Sequence, residues 1–185
     1  IDKQADLEMA WSISENAKCQ RPGVCNAMET LLVHESIAAD FLPKMGEIFS
    51  NRNVEVRGDD EVCKIIPNIS TANEDDWFTE YLEMIISIRI VKDVEEAINH
   101  INYYGSGHSD AIITHNKDAE KIFLAEIDSS SVYVNASTRF TDGAEFGMGA
   151  EIGISTDKLH ARGPMGLEEL TTYKFVIEGK GQIKE

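Results

Sequence analysis

The sequence contains few cysteines, and they are not spaced as pairs. There are three among 185 residues, Cys19, Cys25 and Cys63, and no CxxC motif. An odd number without close pairing argues against a disulfide framework and against a thiolate zinc site. The five histidines do not form an HxxxH or HExxH motif, so we expect no metal site. A reducing, cytoplasmic location is the natural expectation.

The chain also lacks long apolar runs and an excess of positive charge. No segment is long and apolar enough to span a bilayer, and residues 1–4 do not resemble a secretory leader, so we expect no membrane association. The 33 Asp and Glu residues outnumber 17 Lys and Arg residues, which gives a net charge of −16. Such a charge repels phosphate backbones, so we expect no nucleic-acid partner. Because the first residue is not Met, the chain is either processed or a piece of a longer protein, and of the two we expect a piece.

Helical and extended patterns alternate along most of the chain. The patterns predict helices at residues 5–17, 36–50, 94–101 and 117–127, and strands at 86–90, 111–114 and 132–134. Pro43 should lie at a kink or in the first turn of its helix. Strands separated by helices of this length predict an α/β fold with a parallel sheet. A last strand is expected from Leu170 to Ile177, and an exposed terminal strand often pairs with another subunit.

One cysteine lies in a context that could activate it. Cys25 follows Pro22-Gly23, which forces a turn, and residues 26–31 can begin a helix. We therefore expect Cys25 at the amino end of a helix. There, free backbone N–H groups and the helix dipole favour the thiolate and could hold an oxyanion. Two basic residues, Lys18 and Arg21, are close in sequence.

Two other interpretations of Cys25 stay open on this evidence. A buried structural cysteine fits the local pattern about as well. A Cys–His hydrolase would pair Cys25 with one of the five histidines, but the sequence does not indicate which one. Cys63 is expected in the core, and packing is also favoured for Cys19.

Two polar loops are further candidates. Ser137-Thr138-Arg139 follows an apolar strand, and an arginine beside hydroxyls suits a carboxylate or a phosphate, although a solvated loop is the simpler interpretation. The segment from Gly105 to His108 lacks a P-loop lysine and the full dinucleotide fingerprint, so it is read as a turn that enters a strand.

Long motifs resemble one enzyme family, the γ-glutamyl phosphate reductases of the aldehyde dehydrogenase superfamily. They are AKCQRPGVCNAMETLLVH at 17–34, YGSGHSDAIIT at 104–114, VYVNASTRFTDGAEFGMGAEIGISTDKLHARGPMGL at 132–167 and LTTYKF at 170–175. The resemblance implies an α/β catalytic domain of the aldehyde dehydrogenase type over residues 1–168, whose nucleotide-binding domain would lie upstream. It also implies that residues 169–185 form a terminal oligomerisation strand.

The resemblance implies a reaction and a set of site residues. The reaction is the reduction of L-glutamyl 5-phosphate by NADPH to glutamate 5-semialdehyde, in proline biosynthesis. Cys25 corresponds to the family nucleophile, and its backbone N–H to part of the oxyanion hole. Glu80 corresponds to the glutamate that binds the nicotinamide ribose. Phe146 corresponds to the aromatic residue of a turn that lines the substrate tunnel, and we expect it to contact the cofactor as well. The candidates for the substrate head group or phosphate are Asn135, Ser137, Thr138 and Arg139.

The resemblance also suggests partners. A homo-oligomer built through the last strand is expected, and functional coupling to glutamate 5-kinase is possible because that enzyme makes the substrate. The alternative is a folded oligomerisation or interaction module without catalysis, because the chain would need its upstream domain to complete the cofactor site.

Overall fold

A computed structural model describes all residues, Ile1–Glu185. The helices are α1 (Leu7–Cys19), α2 (Glu35–Asn51), α3 (Asp60–Ile65), α4 (Glu74–Phe78), α5 (Val94–Tyr104) and α6 (Lys117–Glu126), with a 3-10 turn at Thr138–Phe140. The strands are β1 (Thr30–His34), β2 (Glu55–Gly58), β3 (Ser70–Thr71), β4 (Ile85–Val91), β5 (Ser109–Ile112), β6 (Ser131–Val134), β7 (Gly153–Ser155) and β8 (Gly163–Met165). None of the helices combines the length and the apolar character that crossing a bilayer requires.

The main sheet is entirely parallel. Its strand order is β1-β4-β2-β3, and β1 pairs with β4 from Thr30 opposite Ser87 to His34 opposite Val91. A second parallel pair, β5 with β6, and a short antiparallel pair, β7 with β8, lie later in the chain. The predicted parallel α/β fold is therefore confirmed.

Helix α2 supplies the centre of the main core. Phe41, Met45 and Phe49 repeat at helical spacing, are fully buried, and pack against β1, β2 and β4. The helix starts where His34 Nδ1 accepts a hydrogen bond from the Ser36 N–H, at 3.1 Å. Pro43 lies inside α2 and not in its first turn, which leaves the other expected position, a kink. A smaller core, centred on Phe123, fills the space between α5, α6 and the β5–β6 pair.

The first four residues connect the two parallel sheets. The Ile1 carbonyl accepts a hydrogen bond from the His34 N–H at 3.0 Å, and the Asp2 N–H donates to the Ile113 carbonyl at 3.1 Å. The Asp2 carboxylate also accepts from the Thr114 hydroxyl at 2.7 Å. These contacts hold β5 beside β1 and so place the loops before the two strands near each other.

One prediction about local structure is wrong. Residues 22–27 form turns that lead through Glu29 into β1, so no helix follows Cys25. Thr30 and Leu31, the last two residues of the segment expected to be helical, pair with β4 instead. Residues 172–185 pair with no strand of this chain, so the terminal strand, which is expected to pair outside it, stays a prediction. Their apolar side chains are exposed, among them Phe175 and Ile177 at 83% and 88%.

Asn135 closes the end of the β5–β6 pair and gives a test of this part of the fold. Its side chain accepts from the Thr114 N–H and donates to the Thr114 carbonyl, each at 2.9 Å, while its own φ is +55°. Asn135→Ala should lower the free energy of unfolding by about 3 kcal/mol, because it removes both hydrogen bonds and keeps an unfavourable left-handed backbone. Urea unfolding measures the loss.

Asn53 provides the matched control for this variant. Its φ is +59°, but its exposed side chain makes no hydrogen bond within the chain. Asn53→Ala should therefore cost only the backbone difference, about 1 kcal/mol. Equal losses in the two variants would show that the Asn135 side chain does not stabilise the fold as described.

Candidate active site

Cys25 lies in a turn that is clamped onto a distant loop. Its neighbour Asn26 is 6% exposed and donates from Nδ2 to the Thr141 carbonyl at 2.8 Å. The Asn26 carbonyl accepts from the Thr138 hydroxyl at 2.7 Å. These bonds span more than a hundred residues of sequence and fix the position of the Cys25 backbone against the 138–141 segment.

A cleft of about 200 Å³ opens beside this turn. One side is formed by the approach to β1, and the other by the end of α4, the end of α5 and the loop before β5. The exposed cysteine is therefore at the surface of a cavity and not in a core, which excludes the buried structural interpretation of Cys25. Polar and aromatic residues line the cleft, including Cys25, Glu29, Trp77, Phe78, Glu80, His100, Tyr104, Ser106, His108 and Thr138.

The electrostatic surroundings of Cys25 differ from those expected. Partial desolvation of the sulfur in the cleft and the carboxylates of Glu151 and Glu80 raise its thiol pKa above the ordinary value, and no helix terminus is present to lower it. The N–H of Cys25 itself and the guanidinium of Arg139 act in the opposite direction. Lys18 does not contribute, because its fully buried ammonium pairs with Glu29 at 2.6 Å. The prediction of a thiolate stabilised by a helix terminus is therefore wrong.

Glu80 lies in an exposed segment after α4, not on a helix, and lines the same cleft as Cys25. The segment is held at two points. The Leu82 N–H donates to Glu29 Oε1 at 3.1 Å, and the Tyr81 hydroxyl donates to Asp76 Oδ1 at 2.8 Å. Glu80 therefore immediately precedes two anchored residues, and its own carboxylate makes no hydrogen bond within the chain.

Asp76 is the anchor beneath this segment. It is 4% exposed and also accepts from Arg57 at 2.7 Å and from the Asn73 N–H at 2.8 Å. Burial alone would raise its pKa, but these hydrogen bonds and that from Tyr81 outweigh burial and hold the pKa of Asp76 below its ordinary value.

The loop candidates occupy different environments. Thr138 is buried, and the cleft reaches it, but its hydroxyl is bound to the Asn26 carbonyl. Ser137 is buried and accepts from the Arg139 N–H at 3.3 Å. The Arg139 guanidinium donates to Gln20 at 2.8 Å and to the Asn26 side-chain oxygen, so it already has protein partners. The substrate-binding assignments of these residues and of Asn135 stay predictions.

Phe146 lies in a turned segment whose following residue, Gly147, has a φ of +77°. The Phe146 side chain is 46% exposed and is not among the residues that line the cleft beside Cys25. Within this segment the backbone at Gly143 lies close to that at Ala150: a Cβ on residue 143 would come within 2.8 Å of the Ala150 carbonyl oxygen. The role of Phe146 stays a prediction.

The sequence interpretation missed two residues that the structure brings to this site, Asn26 and Glu151, and named His108 only in a turn and as one of five histidines. Only the position of Asn26 beside the candidate nucleophile could have drawn attention to it. No histidine hydrogen-bonds Cys25. Two of the five, His100 and His108, line the cleft. No group of three or more His, Cys, Asp or Glu side chains is arranged to hold a metal ion.

Solved structures share this architecture. An acetylating aldehyde dehydrogenase from Geobacillus thermoglucosidasius matches 83% of this chain and 41% of its own with a TM-score of 0.57 and 19% identity. Together with the parallel sheet and the cleft cysteine, this likeness defines the chain as having the aldehyde dehydrogenase type of fold. No family model matches the sequence.

More similar proteins specify the relationship. The chain is 59% identical over 184 residues to the γ-glutamyl phosphate reductase of Carboxydothermus hydrogenoformans, which covers 100% of this chain and 44% of that protein. The crystal structure of the γ-glutamyl phosphate reductase from Thermotoga maritima matches with a TM-score of 0.95 and 57% identity, again over 100% of this chain and 44% of the other. The resemblance to the γ-glutamyl phosphate reductases is confirmed over the whole chain, which spans less than half the length of these relatives.

The reactivity of Cys25 should report the charge of Glu80. The alkylation rate of Cys25 by iodoacetamide should rise with pH to a midpoint above the ordinary thiol pKa, because the thiolate is the reacting form. Glu80→Gln removes a negative charge and should lower this midpoint by on the order of a few tenths of a pH unit. Mass spectrometry of the Cys25 peptide separates its modification from that of Cys19 and Cys63.

Glu83→Gln is the control, since Glu83 is another exposed glutamate in the same segment. It should leave the midpoint close to that of the unaltered chain. A midpoint that is unchanged in Glu80→Gln, or shifted equally in both variants, would show that Glu80 does not act on the sulfur.

The Asp76 anchor gives a second test. Asp76→Ala should lower the free energy of unfolding by about 3 kcal/mol, because it leaves the Arg57 guanidinium and the Tyr81 hydroxyl without the carboxylate that accepts their hydrogen bonds. Asp75→Ala, an exposed neighbour in the same helix, should cost less than about 0.5 kcal/mol. Because the folded-state pKa of Asp76 is lowered, its contribution is complete above about pH 3.9 and declines as the pH falls below that value. The difference in stability between the unaltered chain and Asp76→Ala should therefore shrink only in acid, as urea unfolding at several pH values would show.

Proposed function

We propose that this chain carries the cysteine-bearing active site of an NADPH-dependent reductase that converts L-glutamyl 5-phosphate to L-glutamate 5-semialdehyde and phosphate in proline biosynthesis. The observation that supports it is the exposed Cys25 thiol at the edge of a cleft, in a chain that is 59% identical to a γ-glutamyl phosphate reductase. The chain spans less than half of such proteins, so the activity belongs to a protein that contains it.

The Cys25 sulfur is the nucleophile. After loss of its proton it attacks the acyl carbon of the acyl phosphate, the C–O bond to phosphate breaks, and phosphate leaves with both electrons of that bond. The product is a thioester on Cys25, whose carbonyl accepts a hydride more readily than a carboxylate would. The Cys25 N–H faces its own sulfur, which suits it to bind the oxygen that becomes negative during the attack.

The raised pKa of the Cys25 thiol sets a condition on this step. The thiol is mostly protonated at neutral pH, and the carboxylates of Glu80 and Glu151 oppose its ionisation. Proton loss must therefore accompany binding or attack. For the substrate head group or phosphate we propose the 135–139 loop, because Thr138 lines the cleft and Asn135, Ser137 and Arg139 are its neighbours in the sequence.

NADPH would supply the hydride that reduces the thioester when it is bound. Glu80 fits a role in holding it, because its exposed carboxylate lies in the cleft without a hydrogen-bond partner in the chain and could accept from the ribose hydroxyls. Phe146 is a further candidate contact through its exposed ring. A phosphate-binding glycine motif for the cofactor is absent from the sequence of this chain.

The exposed apolar side chains of residues 170–183 support assembly into a homo-oligomer. Functional coupling to glutamate 5-kinase follows from the reactivity of an acyl phosphate, which favours rapid transfer from the enzyme that makes it. A cytoplasmic location fits such a biosynthetic role. The same apolar segment favours the second candidate, an oligomerisation module without catalysis.

Acylation of the 185-residue chain separates these candidates. Acetyl phosphate should acetylate Cys25 and release phosphate, because this half-reaction needs no nicotinamide. Peptide mass spectrometry should find the thioester on Cys25 at a much higher rate than on Cys19 or Cys63. Cys25→Ser should abolish the rapid acylation, and Cys63→Ser should not change it. Acetylation of Cys25 no faster than that of the other two cysteines would favour the non-catalytic module.

A further inference from the structure

His108 is a buried histidine whose role the proposed reaction does not include. It immediately precedes β5, is 7% exposed and lines the cleft that contains Cys25 and Glu80. Its Nδ1 is hydrogen-bonded to the Ser109 hydroxyl at 2.7 Å, while its Nε2 is fully buried and has no hydrogen-bond partner in the protein. Buried polar atoms are nearly always paired, so an unpaired ring nitrogen on a residue that lines a cleft favours a partner supplied by a ligand. His100 Nε2 is also unpaired, but His100 is packed against Trp77 and Tyr104 and no hydrogen bond links it to the Cys25 turn.

A chain of hydroxyl groups sets the protonation of the ring. The Ser109 hydroxyl contacts the Thr141 hydroxyl at 2.6 Å, which in turn contacts the Tyr133 hydroxyl at 2.7 Å. If Tyr133 donates to Thr141, Thr141 to Ser109 and Ser109 to Nδ1, every O–H group in the chain has an acceptor. The reverse direction would leave the Tyr133 O–H only a weaker contact with the Ser131 side chain. The better satisfied direction makes Nδ1 an acceptor and leaves the ring hydrogen on Nε2.

The same residues connect His108 to the candidate nucleophile. Thr141 is 1% exposed, and its carbonyl accepts from the side chain of Asn26, the residue after Cys25. Its hydroxyl contacts Ser109, the residue after His108. One buried threonine therefore ties the Cys25 turn and the His108 turn together, so that both present side chains to one cleft.

The ring is suited to donate without carrying charge. Burial lowers the pKa of His108, against the opposing effect of the Glu80 carboxylate, so the ring is neutral near pH 7. A neutral donor in a cleft with several carboxylates can bind a ligand oxygen without forming a permanent ion pair with the protein.

We propose that His108 Nε2–H donates a hydrogen bond to an oxygen of the acyl phosphate that reacts with Cys25. This inference rests on the proposed function and adds a residue to it. The oxygen belongs either to the acyl carbonyl, where charge develops as sulfur attacks, or to the departing phosphate. In both cases the hydrogen bond stabilises the transition state of acylation and has no part in an alkylation at a saturated carbon.

Two substitutions separate the ring nitrogens. His108→Asn keeps a polar group where Nδ1 contacts Ser109 and removes the Nε2 donor, whereas His108→Gln can place an amide N–H near the Nε2 position. We expect His108→Asn to lower the rate of Cys25 acylation by acetyl phosphate about 10- to 100-fold and to leave alkylation by iodoacetamide within about twofold, as for a residue outside that reaction. His108→Gln should recover part of the acylation rate, and the exposed His115→Asn should change neither rate.

A third reagent identifies the oxygen. The reagent p-nitrophenyl acetate has a reacting carbonyl but no phosphate. Slower acylation of His108→Asn by both acyl reagents assigns the hydrogen bond to the carbonyl oxygen, and slower acylation by acetyl phosphate alone assigns it to the phosphate.

Other outcomes would overturn the inference. Equal slowing of acylation and alkylation in His108→Asn would indicate that the ring acts on the thiol or on the fold, and unchanged acylation would show that the donor is not used. If the unaltered chain is not acylated at Cys25 at all, the proposed function falls as well. Rapid acylation of the unaltered chain together with equal rates in His108→Asn removes only the role of His108.

Discussion

Strands β1 and β4 are parallel and in register from Thr30 opposite Ser87 onward, and this pairing decides where the cleft forms. Because the strands run in the same direction, the loops before them reach the same edge of the sheet. Glu29 joins the two loops there, since its carbonyl accepts from the Ser87 N–H and its carboxylate from the Leu82 N–H. The Cys25 turn and the Glu80 segment are neighbours as a consequence of this pairing.

The charges around Cys25 are mainly negative, and negative charge does not favour a preformed thiolate. The carboxylates of Glu80 and Glu151 oppose ionisation, and the guanidinium that favours it, that of Arg139, is already bonded to Gln20 and Asn26. Such a thiol is protected from indiscriminate reaction in the free protein because little thiolate is present. Its reactivity would then depend on what a ligand in the cleft does to the surrounding charges.

Many polar side chains near the cleft serve the fold before they can serve a ligand. The Asn135 side chain is hydrogen-bonded to the Thr114 backbone. The Asn26 side chain donates to the Thr141 carbonyl, and the Thr138 hydroxyl donates to the Asn26 carbonyl. Sequence alone cannot separate these roles, because the residue types that bind a carboxylate or a phosphate are also those that satisfy buried backbone groups. The cleft residues His100 and His108 each have one ring nitrogen without a protein partner, and of the two only His108 is tied to the Cys25 turn, through Ser109 and Thr141.

The sequence by itself determined the parallel α/β class, the four longest helices, three of the eight strands and the candidate nucleophile, because hydrophobic periodicity and long motifs are local properties. It did not determine that the residues after Cys25 lead into a strand, because strand formation depends on a partner elsewhere in the chain. The connection between Cys25 and His108 was also decided only by the tertiary structure. It passes through hydrogen bonds such as that from Asn26 to Thr141, whose partners are 115 residues apart and carry no shared local signal.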